Sequence, residues 1–532
     1  MTDNLQHYVT RAAHKYPERV ALHDVSGRTT YADLESWTNR AARLLRETGI
    51  AEGDRVCVVG AKSSATIASL VSVLKAGGIY VPIDSASPAA RVARILDAAE
   101  PGAVLVDASA TSLVDALIAE DRLGTGVRIG AVDAHTTGER FGTAFSLTAT
   151  AGFDDRELAG TRGGDALAHL LFTSGSTGAP KGVGITHRNV LAFVEWATSY
   201  FGTSPDDRIS GHPPLHFDLS TFDIYATFAA GAELHPVPAS LGLDPRGLAR
   251  FIRDRALTQW FSVPSVLTLL AKFDVVGEDD FPALKRLLWC GEVLPTPVLR
   301  HWMCRLPHAR FTNLYGPTEA TIASSVHTVV EVPETETEPI PIGVACDGEE
   351  LLVLDEQLRP LPPGEIGDLY IGGVGLSPGY WRDPDRTAEV FVPDPRDPRE
   401  RIYRTGDLAR VGPGGLVDFL GRADSQIKSR GYRIELGEIE TAVNAVPGVK
   451  ECAVVGIPTD GFEGTAIWCS LALVDGAELT GAELRTAVRE LLPGYMIPAR
   501  WEFVTALPKN VNGKIDRRSV RERLIDTTRE AG

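Results

Sequence analysis

The sequence predicts a two-domain α/β protein, and three features carry that prediction. The first hundred residues alternate strand-like and helix-like segments: an apolar stretch over 55–60, a helical pattern running to Leu74, then a strand over 79–82, the order of parallel βαβ units. The run 166–172, Ala-Leu-Ala-His-Leu-Leu-Phe, reads as a buried strand that passes into a Gly-rich loop and then a helix. Thr186 is that helix's N-cap, with Val190, Phe193, Val194 and Ala197 at helical spacing behind it. After Gly421-Arg422-Ala423-Asp424 the pattern changes to short strands over 451–457 and 465–474 and a helix over 481–491. The domain boundary is therefore placed at Asp424, giving domains 1–423 and 424–532.

With 532 residues, 44% of them hydrophobic, the chain has enough apolar material for a sizeable enzyme core. The longest apolar candidate, near 65–74, ends at Lys75, well short of the roughly 18 residues that suggest a membrane span, and the first residues lack a signal-peptide pattern. A cytoplasmic protein without a membrane partner is expected. Six scattered cysteines without CxxC spacing argue against both a zinc site and a disulfide framework. The formal net charge of −17 argues against nucleic acid as a partner. From Asp424 onward there are 14 basic and 16 acidic residues, so nearly all the acidity lies in the large domain.

The strongest local signal is Leu171-Phe-Thr-Ser-Gly-Ser-Thr-Gly-Ala-Pro-Lys-Gly182. Its glycines let backbone N–H groups approach a phosphate, its hydroxyls add donors, and Lys181 adds charge. Pro180 and Gly182 flank that lysine where a Walker loop needs Gly and Ser or Thr, so it is a different phosphate loop. The segment is similar to the phosphate-loop signature of the adenylate-forming enzymes, the superfamily of peptide-synthetase adenylation domains, acyl-CoA synthetases and firefly luciferase. Further segments resemble adenylation-domain signatures in the same order: 75–84 (Lys-Ala-Gly-Gly-Ile-Tyr-Val-Pro-Ile-Asp), 313–319 (Asn-Leu-Tyr-Gly-Pro-Thr-Glu), 403–407 (Tyr-Arg-Thr-Gly-Asp), 421–431, 492–498 and 512–516.

What the resemblance implies is specific. The fold would be a large domain of doubly wound βαβ subdomains plus a small β-barrel, followed by a small mobile α+β domain. ATP and Mg2+ would be required. Thr173, Ser174, Gly175, Ser176, Thr177 and Gly178 would bind ATP phosphates with Lys181. Tyr315 would stack on adenine with Asn313 near the base and Gly316 and Thr318 beside it, and Asp407 and Arg422 would hold the ribose hydroxyls. Glu319 matches a magnesium-linked carboxylate, since a cation offsets the charge developing on pyrophosphate. Lys514 matches a catalytic lysine that bridges the substrate carboxylate and the adenylate oxygens, where an ammonium lowers the repulsion between two anions. Rotation of the small domain about Asp424 would then bring the segment near Lys428 to a thiol-transfer face.

The segment 216–222, His-Phe-Asp-Leu-Ser-Thr-Phe, resembles that of amino-acid-activating members, in which the match of Asp218 accepts a hydrogen bond from the substrate ammonium. The remaining pocket positions match Leu219, Phe222, Ser262, Leu288, Cys290, Leu314, Ile322 and Ala323, none of them charged. A charged substrate side chain would be buried there without a partner, which excludes Asp, Glu, Lys and Arg. The bulk of the lining favours alanine, with serine, cysteine, proline or a β-amino acid as alternatives. The expected activity is formation of an aminoacyl-adenylate and transfer to a carrier-protein thiol, in natural-product biosynthesis; since only about sixteen residues follow Asp516, the carrier is expected in trans. An acyl-CoA or aryl-acid ligase of the same superfamily, which would not need Asp218, is the rival, and a non-catalytic nucleotide-binding scaffold the more distant one. The run Arg517, Arg518, Arg521 and Arg523 is a candidate carrier-steering patch.

Overall fold

The computed structural model of the chain describes residues 4–124, 126–158, 163–175, 180–423, 426–459, 461, 464–509 and 515–529. They form two compact units: Met1–Ser85 with Leu96–Phe172 and Gly182–Ala423, and Ala86–Ile95 with Thr173–Lys181 and Asp424–Gly532.

The larger unit is built on two mostly parallel sheets and one antiparallel sheet. The first has the strand order Val344–Ala345, Ser325–Val329, Arg310–Tyr315, Arg286–Cys290, Gln259–Ser262, Arg208–Gly211, Glu233–Pro236, Val20–Asp24 and Gly27–Thr30. Its six central strands run parallel and its edges antiparallel. Central strands such as Arg286–Cys290 are buried at every position, which is why they read as continuous apolar runs rather than alternating ones. The second sheet runs Phe145–Ser146, Arg128–Ala131, Ala103–Val106, Arg55–Val59, Ile79–Ile83, Leu167–Thr173, Lys181–Thr186 and Gly379–Tyr380. The expected barrel is a half-barrel, a five-stranded antiparallel sheet of Glu349–Leu354, Gly367–Gly373, Arg401–Val411 and Phe391–Pro393, with Val417–Arg422 also pairing Arg401–Val411.

Two helices of this unit, Ser64–Ala76 and Asp218–Ala230, are buried on nearly every side and share one hydrophobic core with strands of both parallel sheets. A helix apolar all round belongs in such an interior. Lys75, which ends the apolar run, is itself buried: its Nζ lies 2.6 Å from Glu35 Oε2 and donates to Asn39 Oδ1 at 2.8 Å. The expected N-cap at Thr186 is present as a full capping box with Asn189, and the helix His187–Phe201 ends at a left-handed Gly202. Among the described residues no helix is long and apolar enough to cross a membrane.

In the smaller unit Val449–Pro458, Thr465–Leu473 and Arg500–Phe503 form a sheet, Gln426–Ser429 and Tyr432–Glu435 a two-stranded ribbon, and Leu436–Asn444, Gly481–Arg489 and Arg517–Arg529 are helices. A capping box of Thr480 and Glu483 starts the second of these helices. The unit also contains a buried ion pair, Arg91 with Glu438.

Candidate active site

Asn313 and Tyr315 lie at the C-terminal end of the strand Arg310–Tyr315, in a parallel sheet whose carboxyl ends are the natural place for a ligand. Asn313 Nδ2 donates to the Pro341 carbonyl at 2.9 Å, which fixes the amide. The Tyr315 hydroxyl donates to Asp407 Oδ2, and Asp407 Oδ1 accepts from Arg422 Nη1 at 2.6 Å. Thr405 completes the arrangement, its hydroxyl accepting from Asp407 N–H at 3.0 Å and its carbonyl accepting from Arg422 Nη2 at 3.1 Å. Burial first, then the Asp407 charge, pushes the Tyr315 phenol well above its ordinary range, so it stays protonated and a donor. Tyr315, Asp407 and Arg422, three segments apart in sequence, thus form one hydrogen-bonded unit. Gly316 follows directly; a Cβ there would sit 2.6 Å from Ala323 Cα, so only glycine lets the two strands' connection close.

Thr318 and Glu319 occupy a short 3-10 turn, Thr318–Ala320. Glu319 is fully buried, and the Tyr380 hydroxyl donates to its Oε1 at 2.7 Å. Beneath it the segment 374–377 is held on every side. Ser377 N–H donates to Glu319 O at 2.9 Å, the Thr321 hydroxyl to Gly375 O at 2.6 Å, Gly375 N–H to Glu349 Oε1 at 2.6 Å, and Asn189 Nδ2 to the carbonyls of Val374 and Leu376. Burial pushes the Glu349 carboxyl up to about 8 against the opposing pull of the Gly375 N–H. Tyr380 and Glu349 escaped the sequence reading because their partners lie 61 and 26 residues away, with no local pattern to mark them.

Next to this turn, Thr321 and Ile322 both adopt positive φ, 57° and 71°. For β-branched residues such a conformation costs on the order of 1–3 kcal/mol each, and it persists only where the surroundings enforce it. The turn brings Ile322 and Ala323 into the same buried cluster as Leu219, Phe222, Leu288, Cys290 and Leu314. Leu288 and Cys290 come from Arg286–Cys290, Leu314 from the neighbouring strand, and Cys290 Sγ lies 4.0 Å from the Ile322 carbonyl. Ser262 ends the adjoining strand Gln259–Ser262; it is buried, accepting from Trp260 Nε1 at 2.9 Å and donating to the Val263 carbonyl. Asp218 opens the helix Asp218–Ala230 rather than capping it, because Phe217 is the N-cap and no side-chain cap bond forms. One turn on, Phe222 shares its helix face. Seven of the eight uncharged positions therefore fall in one hydrophobic cluster, with Ser262 on the adjacent strand.

Of the phosphate loop, Thr173, Ser174 and Gly175 are described and belong to the smaller unit, where the Ser174 hydroxyl donates to the Arg433 carbonyl at 2.7 Å. Lys181 is buried at the start of its strand. Ser176, Thr177, Gly178, Asp424 and Lys514 lie outside the described residues. The arginine run is engaged within the smaller unit: Arg517 pairs with Glu440, Arg518 with Glu522, and Arg523 with Glu502, while Arg521 Nε donates to the Gly456 carbonyl.

The family profile described as AMP-binding enzyme matches residues 9–381, and that described as AMP-binding enzyme C-terminal domain matches 438–514. The chain belongs to the AMP-binding enzyme family. As an AMP-binding enzyme it is similar to the L-proline--[L-prolyl-carrier protein] ligase of Pseudomonas fluorescens, with 34% identity over 505 residues, 94% of this chain and 96% of that protein. It is 35% identical over 521 residues to the AMB antimetabolite synthetase AmbB of Pseudomonas aeruginosa, covering 97% of this chain but only 38% of that one. Among solved structures it resembles the Vibrio cholerae adenylation domain AlmE in complex with glycyl-adenosine-5'-phosphate, with a TM-score of 0.82 and 25% identity over 99% of this chain and 98% of that one. ATP use by this AMP-binding enzyme follows from the family.

Proposed function

We propose that the enzyme activates a small neutral amino acid as its aminoacyl-adenylate, releasing pyrophosphate, and passes the aminoacyl group to the phosphopantetheine thiol of a carrier protein in natural-product biosynthesis. The observation that carries the reading is that all eight matching pocket positions are buried and uncharged, seven of them within the main hydrophobic core of the larger unit, with Asp218 one helical turn before Phe222. The similarity to a proline carrier-protein ligase along almost its full length supports it.

In this reading Asp218 accepts from the substrate ammonium and fixes the acid's orientation, while the cluster admits an alanine-sized side chain and rejects a charged one. The substrate carboxylate oxygen attacks the α-phosphorus of ATP and the bond to pyrophosphate breaks. Tyr315, Asp407 and Arg422 form the nucleoside-binding unit, and Lys181 and Lys514 offset negative charge on the phosphates and the attacking carboxylate. Glu319 fits Mg2+, being an oxygen donor, and among the described residues no trio of metal-binding side chains includes it, so phosphate and water oxygens would supply the other ligands. The ion would offset charge on the leaving pyrophosphate. Tyr380 holds the Glu319 carboxylate in place, and the gripped 374–377 segment holds its backbone.

The test is ATP–pyrophosphate exchange across α- and β-amino acids and simple carboxylic acids. Exchange should be strongest with alanine-sized substrates, with serine, cysteine, proline and small β-amino acids next. Exchange driven by aliphatic or aryl acids and by no amino acid would replace the reading with an acyl-CoA or aryl-acid ligase.

A further inference from the structure

The far end of the nine-stranded sheet carries a cluster that the adenylation reading does not use. The register pairs Leu22 with Leu234, and both point into the hydrophobic core. Side chains alternate along a strand, so His23, Glu233 and His235 share the opposite face. His23 Nδ1 lies 2.9 Å from Glu233 Oε1, and His235 Nε2 lies 3.4 Å from the same oxygen. All three ligand atoms fall within 4.8 Å of one another. The His235 ring is 2% exposed, and neither of its nitrogens has a hydrogen-bond partner among the described residues. A buried imidazole with both nitrogens unmatched is costly unless something else uses a lone pair.

We infer that His23 Nδ1, Glu233 Oε1 and His235 Nε2 form a binding site for one zinc-type divalent metal ion, clipping the strand Val20–Asp24 to Glu233–Pro236. The donor set of two imidazoles and one carboxylate suits zinc, cobalt or nickel rather than magnesium. Ligand atoms on a tetrahedral zinc at about 2.0–2.1 Å stand about 3.3 Å apart, close to the two separations here. Glu233 is level with Arg208, the first residue of its strand. The adenylation candidates follow the opposite, carboxyl ends of the strands, so this ion would be structural. Three cations border the site. Arg255 Nη1 contacts His23 Nε2, Arg208 Nε lies 3.8 Å from Glu233 Oε2, and Arg28 is close enough to act on His235. A proton donated by Arg255 to Nε2 requires the other His23 proton to sit on Nδ1, the position the metal takes. Metal binding at Nδ1 therefore moves that proton to Nε2, which can then no longer accept from Arg255, so Arg255 competes with the ion.

The experiment uses the full chain, stripped with EDTA, dialysed and titrated with Zn2+ and separately with Co2+. The wild type should bind one equivalent, show the visible absorption of four-coordinate cobalt, and gain about 2 °C or more in melting temperature at saturating zinc. His23→Ala and His235→Gln should each weaken binding by about tenfold or more, and Arg255→Met should tighten it. If His235→Gln fails to fold, the wild-type cobalt spectrum and His23→Ala decide the matter. Failure of the wild type to take up zinc stoichiometrically, binding undiminished by loss of His23, or weaker binding in Arg255→Met would each overturn the assignment.

Discussion

Glu349 holds its proton to about pH 8 because burial outweighs the opposing pull of the Gly375 N–H and the Ser324 side chain. In the unfolded chain the same carboxyl ionises at its ordinary value of 4.5. Between those two values the native state binds more protons than the unfolded state, so the stability Glu349 contributes is complete below 4.5, declines as pH rises, and is fully lost above about 8. The loss is on the order of 5 kcal/mol. Glu349→Gln keeps an acceptor for Gly375 N–H and removes the ionisation. Melting curves should then place the variant at or below the wild type near pH 5 and above it at about pH 9; an equal difference at both values would show that Glu349 is already ionised in the fold. Neither Glu349 nor Tyr380 could be read from the sequence, because each acquires its role only through a distant partner, Gly375 for Glu349 and Glu319 for Tyr380. Tyr315, Asp407 and Arg422 were readable as separate motif residues, but their direct hydrogen bonding to one another was not.

The helix Asp218–Ala230 does two jobs with two faces. Asp218 and Phe222 face the proposed substrate pocket. Asp223, on another face and fully buried, lies in the field of Lys62, whose ammonium burial lowers to about 7 against the opposing pull of that carboxylate. Lys62 Nζ in turn donates to the carbonyls of His212 and Pro213, the turn that leads into Asp218. That turn is therefore fixed from the core side. If Asp218 receives the substrate ammonium, Asp218→Ala should raise the amino acid KM by at least about tenfold while leaving the ATP KM nearly unchanged. Equal loss for both substrates would make Asp218 a structural residue. Elements with strong local signals were readable almost to the residue: the capped helix behind Thr186, the strand at Leu167–Thr173 expected over 166–172, and the strand at Thr465–Leu473 expected over 465–474. The left-handed turn at Thr321 and Ile322 was not, since β-branched residues give no hint of positive φ. The helix expected over 481–491 closes earlier, at Arg489, ahead of Pro493.

The order of signatures along the chain was readable because each is a contiguous loop, and the two family profiles fall on either side of Asp424 in the same order. What the sequence could not foresee is that the compact units are discontinuous, with 86–95 and 173–181 grouped with the C-terminal residues. Nor could it foresee that the arginine run beyond Lys514 would be occupied by carboxylates and a carbonyl of its own unit. The proposed division of labour is tested with Lys514→Ala, which should lower pyrophosphate exchange by about 100-fold or more yet leave transfer from a supplied aminoacyl-adenylate close to wild type. Parallel loss in both half-reactions would remove Lys514 from the first step. The arrangement of the uncharged cluster also bears on how such an enzyme changes over generations. Ser262 and Cys290 end parallel strands and Ile322 and Ala323 follow the end of a third, so their side chains can be exchanged without breaking the ladder beneath them. On the proposed function, a lineage carrying this scaffold would alter its diet by single substitutions at strand tips, while the residues assigned to the nucleotide stay untouched.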